Sequence, residues 1–87
     1  GNAELAPFTF GQGAVRHLSC VKDKRFYTLS IGIAATGAKL EARRAVSFEV
    51  IDPLTGKCAG PQERRIGESF TLPRGPGAQL IRGKLLD

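Results

Sequence analysis

The sequence predicts a small antiparallel all-β domain, a sandwich or barrel of five to seven short strands. Apolar and polar residues alternate with a period of two along most of the chain, which is typical of half-buried strands. Turn-forming residues separate these runs at spacings of about 8–12 residues. Two cysteines, Cys20 and Cys58, offer a single disulfide across the fold.

The chain is 87 residues long, which is enough for one domain and one core. Apolar residues make up 41% and charged residues 24%, so the composition argues against disorder. No apolar run reaches the roughly 18 residues that a membrane span needs. We assign residues 14–87 to the β-sandwich domain and residues 1–13 to an N-terminal extension, in which Phe8 and Phe10 indicate a further short strand or a flap.

The first half of the chain contains the clearest strands. Residues 14–21 predict a strand, residues 22–24 a tight turn, and residues 25–33 the returning strand of a hairpin. On that second strand Tyr27 shares a face with Leu29, Ile31 and Ile33, whereas Phe26 lies on the other face with Thr28 and Ser30. If the more apolar Tyr27 face points inward, Phe26 points outward as a contact residue; the alternative for Phe26 is a position covered by a second sheet.

Residues 40–50 also alternate, but the run is long for a single strand. A break near residues 43–45 would divide it into two strands. A helix over residues 38–45 is the alternative, because Ala, Lys, Leu, Glu and Arg favour helices. We prefer two strands because the surrounding sequence is rich in strand signals.

Later elements follow the same pattern. Residues 52–56 (Asp-Pro-Leu-Thr-Gly) and residues 73–77 (Pro-Arg-Gly-Pro-Gly) predict turns. Residues 69–72 predict a short strand, and residues 78–86 predict a closing strand.

The two cysteines predict a cellular compartment as well as a disulfide cross-link. A Cys20–Cys58 disulfide would contribute roughly 4 kcal/mol in the chain-entropy model and would imply an oxidising, extracellular or periplasmic environment. A reactive thiol is the alternative. With one histidine and two cysteines the chain has too few ligands for a zinc site, and we expect no metal and no cofactor.

Nothing in the sequence marks a catalytic centre, and we expect no enzyme activity. His17 is the only imidazole, and no third group is evident that would orient it beside Ser19. His17 is therefore interpreted as a surface residue. The eight carboxylates are dispersed and form no evident acid–base pair.

The chain carries 13 Lys and Arg against 8 Asp and Glu, a net charge of +5. This balance favours acidic partners without choosing among nucleic acid, lipid and protein. The basic residues come in pairs, and Arg25-Phe26-Tyr27 is the one place where basic and aromatic residues alternate. The candidate binding residues are Lys24, Arg25, Phe26, Thr28, Arg43 and Arg44.

The order of these elements resembles a known family. A strand with Cys20 and a hairpin are followed by an apolar strand, an Ala-Thr-Gly connection, Lys-Leu-Glu-Ala-Arg at residues 39–43, Ser-Phe-Glu-Val at residues 47–50, and Cys58. This arrangement, over residues 15–58, resembles the MAX effectors, the avirulence and ToxB-like proteins that plant-pathogenic fungi secrete.

The resemblance implies a six-stranded sandwich of two three-stranded antiparallel sheets, with the disulfide joining the first strand to the region that enters the fifth. It also implies a secreted virulence factor that binds a host protein, such as a metal-chaperone-like domain of an immune receptor. We expect the chain itself to be a monomer. Binding would use an edge strand or a sheet face, here residues 25–33.

Two other functions remain open at this point. One is a bacterial periplasmic inhibitor or secretion-apparatus component on a small β scaffold. The other is a small basic β-barrel that binds nucleic acid, whose affinity would fall steeply with salt.

Overall fold

The computed structural model describes residues 6–10, 16–31, 37–72 and 77–87. This part of the chain is all-β and contains no helix. The strands are β1 (Phe8–Phe10), β2 (Arg16–Lys22), β3 (Arg25–Ile31), β4 (Lys39–Ala42), β5 (Val46–Ile51), β6 (Cys58–Arg64), β7 (Ser69–Thr71) and β8 (Ala78–Leu85).

The strands form two antiparallel sheets. One sheet has three strands in the order β1-β4-β7, and the other has five in the order β2-β3-β8-β5-β6. The all-β class is confirmed, but the six-strand count is wrong, because eight strands are present among the described residues. Strand β1 pairs with β4, so residues 8–10 of the predicted extension form part of the smaller sheet.

The core lies between the two sheets, and each sheet contributes alternate side chains to it. On β3, β8 and β5 every second side chain is buried, and β1, β4 and β7 supply the opposing apolar residues. Phe8 joins the sheets, because its ring meets Phe26, Phe48 and Phe70 edge-on at centroid distances of 5.5, 5.5 and 5.3 Å. Edge-to-face aromatic contacts of this kind add to the free energy gained by burial.

Several predicted boundaries are confirmed. The β2–β3 turn lies at Asp23 and Lys24, and both residues have the positive φ of a type I′ hairpin turn. The break between β4 and β5 falls at residues 43–45, so the helical alternative for residues 38–45 is wrong. The turn at residues 52–56 is held by Asp52, whose Oδ1 accepts a hydrogen bond from the Leu54 amide at 2.8 Å.

Some predicted segments lie partly outside the described residues: 14–15 and 32–33 at strand ends, and 73–76 in the second turn. In contrast, β6 was not predicted. It contains Gly60 and Pro61, and proline within a run argues against a strand.

The predicted Cys20–Cys58 disulfide is absent, since both cysteines are free and exposed. Cys20 lies on β2 and Cys58 on β6, the two outermost strands of the larger sheet, with β3, β8 and β5 between them. Neighbouring strands are about 4.8 Å apart, so four such spacings separate β2 from β6. A disulfide requires Cα atoms within roughly 7 Å of each other. Sheet order therefore keeps the two thiols apart.

An apolar helix of membrane-spanning length is not found in residues 6–10, 16–31, 37–72 or 77–87.

Candidate functional site

The outer face of the five-stranded sheet, the face turned away from the core, is largely uncovered within the described part of the chain. It carries the alternate side chains that the core does not use, such as Arg25, Tyr27, Leu29 and Ile31 on β3. Tyr27 is 52% exposed and Ile31 46%. Directly paired residues on neighbouring strands lie on the same face, so the strand register arranges this surface into rows.

One row is apolar. Leu18 pairs with Leu29, Leu29 with Leu80, and Leu80 with Ile51, so these side chains cross the sheet from β2 to β5. Leu18, on the outermost strand, is 72% exposed. Together with Ile31 it borders a shallow apolar hollow at the β2 end of the outer face.

The next row is mixed in charge. Cys20, Tyr27, Arg82 and Glu49 follow one another across the sheet. Arg82 Nη2 donates a hydrogen bond to Glu49 Oε2 at 2.9 Å, and this bond raises the pKa of the arginine above its ordinary value. A groove of about 390 Å³ runs along this row towards Pro61 on β6.

The third row is basic. Lys22, Arg25 and Lys84 stand side by side on β2, β3 and β8, and Lys24 lies in the adjoining turn. Ser47 and then Glu63 continue the row on β5 and β6. The outer face is therefore apolar at one end and positively charged at the other.

Strand β2 is a free edge of this sheet, because among the described strands it pairs only with β3. A groove of about 430 Å³ separates it from β1 and is lined by residues that include Phe8, Phe10, His17, Leu18 and Ser19. The His17 ring stacks on Phe10 at a centroid distance of 4.1 Å. Leu18 borders both this groove and the apolar hollow.

The predicted binding residues separate into three groups. Lys24 and Arg25 lie exposed at the basic end of the outer face. Arg43 and Arg44 lie at the corner between β4 and β5, where Arg44 forms an ion pair with Asp87 at 3.1 Å. Arg43 is exposed beside the β1–β2 groove.

Phe26 and Thr28 form the third group, and they correct the prediction. Their exposures are 1% and 0%, so they lie in the interior and not on a contact surface. Of the two positions open to Phe26, the covered one is correct, and Tyr27 points outward. Thr28 Oγ1 shares a hydrogen bond of 2.9 Å with Ser19 Oγ, which ties β2 to β3 from the inner side.

His17 is exposed, as expected of a surface residue. The described residues contain no group of three His, Cys, Asp or Glu side chains that could hold a metal ion. The arrangement offers surfaces for contact: an apolar row, a basic row and an unpaired strand edge.

Sequence reasoning missed the apolar row, Arg82, and the Lys22 and Lys84 members of the basic row. Finding them requires the pairing of β3 with β8, which are far apart in sequence. One local signal was present, because Leu80, Arg82 and Lys84 alternate with Gln79, Ile81 and Gly83. The two charges mark the outer face of β8.

No family model matches this chain, and no curated protein or solved structure matches it either.

Proposed function

We propose that this chain is a non-catalytic protein-binding domain that docks its partner along β2 and the adjoining outer face of the five-stranded sheet. The observation that carries the proposal is the position of Leu18. Leu18 is 72% exposed on a strand that has an unpaired edge, and it lies between the β1–β2 groove and the apolar hollow. Exposed apolar surface rimmed by polar groups marks interaction sites in folded proteins.

Strand addition suits this surface. An extended segment that pairs with an open edge gains main-chain hydrogen bonds from the edge, while neighbouring hollows accept its side chains. Here the edge of β2 has the β1–β2 groove on its inner side and the apolar hollow on its outer side.

The class of partner rests on the resemblance of residues 15–58 to the MAX effectors. Under that resemblance the chain is a secreted virulence effector and the partner is a host protein. Both cysteines are free, so they give no support for an oxidising compartment. Secretion and virulence are therefore proposed on the resemblance alone.

Nucleic-acid binding has less support from this surface. Single-stranded nucleic acid is held by several aromatic side chains among cations. Tyr27 is the one aromatic residue among the large hydrophobic side chains that are exposed in the described part of the chain.

The proposal is tested by comparing Leu18→Asp with Leu54→Asp. Leu54 is 78% exposed but lies in the turn between β5 and β6, away from β2, so it is a matched control. Immobilised wild-type and variant proteins are incubated with a host-tissue extract, and each bound protein is quantified by mass spectrometry.

We expect a partner that Leu54→Asp retains and Leu18→Asp loses by about tenfold or more, since burying an unpaired carboxylate is costly. Circular dichroism of both variants should match the wild type. Partners retained equally by both folded variants would show that the β2 surface is not the docking site.

A further inference from the structure

We propose that the docking segment is an extended acidic peptide that pairs antiparallel with β2, with acidic residues opposite Arg16 and Lys22 and an apolar residue opposite Leu18. This inference rests on the proposed function and specifies the chemistry of its partner.

The two edges of the larger sheet differ in their fitness for pairing. Strand β6 has a register irregularity opposite β5 and contains Pro61, which has no amide hydrogen to donate. Bulges and prolines are common protections of edge strands. Strand β2 pairs with β3 in unbroken register over seven residues and contains no proline or glycine. It is the edge that can accept another strand.

The hairpin turn determines which backbone groups of β2 are unpaired. A type I′ turn at Asp23 and Lys24 joins the Lys22 carbonyl to the Arg25 amide. Hydrogen-bonded and non-bonded pairs then alternate along an antiparallel ladder. The amides and carbonyls of His17, Ser19 and Val21 consequently point away from β3, towards the free edge, where an added strand would meet them.

The charge of β2 selects an acidic segment. Arg16 and Lys22 lie at its two ends, and no residue from 16 to 22 is acidic. Lys24 and Arg25 extend the positive charge, while Asp23 in the turn is the one nearby acid on this hairpin. A second copy of the chain would bring Arg16 opposite Lys22 in the fully overlapped register, and like charges opposite each other are destabilising.

Alternation along β2 then gives the pattern of the segment. Arg16, Leu18, Cys20 and Lys22 share the outer face, since their partners on β3 are outward-facing residues. We number the seven residues of an antiparallel partner from its N-terminus. The residues opposite Arg16, Leu18, Cys20 and Lys22 are then at positions seven, five, three and one. The expected segment is acidic at the first and seventh positions, apolar at the fifth and small at the third. Its even-numbered side chains face the β1–β2 groove.

Cys20 allows a direct test of this register. The Cys58→Ser variant keeps Cys20 as its one thiol. The probe is the peptide Asp-Thr-Cys-Thr-Val-Thr-Asp, blocked at both ends and activated as a mixed disulfide with thionitrobenzoate. Attack by the Cys20 thiolate forms the peptide–protein disulfide and releases thionitrobenzoate, whose absorbance gives the rate.

We expect this peptide to react about tenfold faster than two controls, because binding raises the effective concentration of its disulfide at Cys20. In one control both Asp residues are replaced by Lys. In the other the Cys and the following Thr are exchanged, which turns the disulfide to the opposite face. Free activated cysteine corrects for the intrinsic reactivity of Cys20.

Each alternative outcome is distinct. Equal rates for the acidic and lysine peptides would overturn the acidic segment, and equal rates for the two cysteine positions would overturn the register. If a single-stranded oligonucleotide at equal charge concentration slows the reaction of the acidic peptide to the rate of the lysine control, the edge is assigned to nucleic acid and the proposal is also overturned. None of these results alters the comparison of Leu18→Asp with Leu54→Asp, which tests the proposed function separately.

Discussion

Gly83 explains how the inner face of the larger sheet is packed. It lies on β8 between Phe26 on β3 and Phe48 on β5, its direct partners on either side. A Cβ atom at this position would lie 2.8 Å from Cζ of the Phe26 ring and 2.8 Å from the Cβ of Phe48, and it would clash with the Ser47 carbonyl oxygen. The space that a side chain would need at Gly83 is filled by the Phe26 ring and by the Cβ of Phe48.

Gly83→Ala should therefore destabilise the fold strongly. Overpacking a core typically costs about 1–3 kcal/mol, and we expect about 3 kcal/mol or more here because a backbone atom must also move. Urea denaturation measures the change. Lys84→Ala, one residue further on the exposed outer face, should stay within about 0.5 kcal/mol of the wild type. If both variants unfold at the same urea concentration, the packing around Gly83 is not as described.

The same residues show why one prediction about β3 was wrong. Its Tyr27 face is the more apolar by composition, yet the sheet buries Phe26, Thr28 and Ser30. The choice depends on β8, where Gly83 leaves room for an aromatic ring on the inner side. A single strand with apolar residues on both faces does not contain that information.

At the scale of elements, local sequence signals predicted the positions of most strands, but they did not predict the order of the strands in the sheets. Alternation and turn residues located β2, β3, β4, β5, β7 and β8, and Phe8 and Phe10 indicated β1. Strand β6 was missed at Gly60 and Pro61. Strand β6 forms one edge of the larger sheet and β2 forms the other, so the two cysteines are too far apart for a disulfide. The presence of two cysteines allows one disulfide pairing, whereas strand order determines whether the two sulfur atoms are close enough to bond.

Two free thiols per chain should therefore titrate in the folded protein. Both cysteines are exposed, so Ellman's reagent should label two thiols without denaturant or reductant. Cys20→Ser and Cys58→Ser should each leave one thiol. If the wild-type protein gives no reaction until a reductant is added, the sheet order that separates β2 from β6 is contradicted.

At the scale of the whole molecule, the described residues cover one face of the larger sheet and leave the other largely exposed. The smaller sheet supplies Phe8, Leu40 and Phe70 to the covered face. The outer face carries rows of apolar and basic residues that end at the edge of β2. Sequence predicted the basic turn of this surface, Lys24 and Arg25, but its apolar part is assembled only when distant strands pair.

Among the described strands β2 presents an open edge, and amide hydrogen exchange of the free protein tests for this edge most directly. We expect fast exchange at His17, Ser19 and Val21, whose amides face the free edge, and slow exchange at Leu18 and Cys20, which donate to β3. Slow exchange at all five amides would show that the edge is already covered, and would contradict the account.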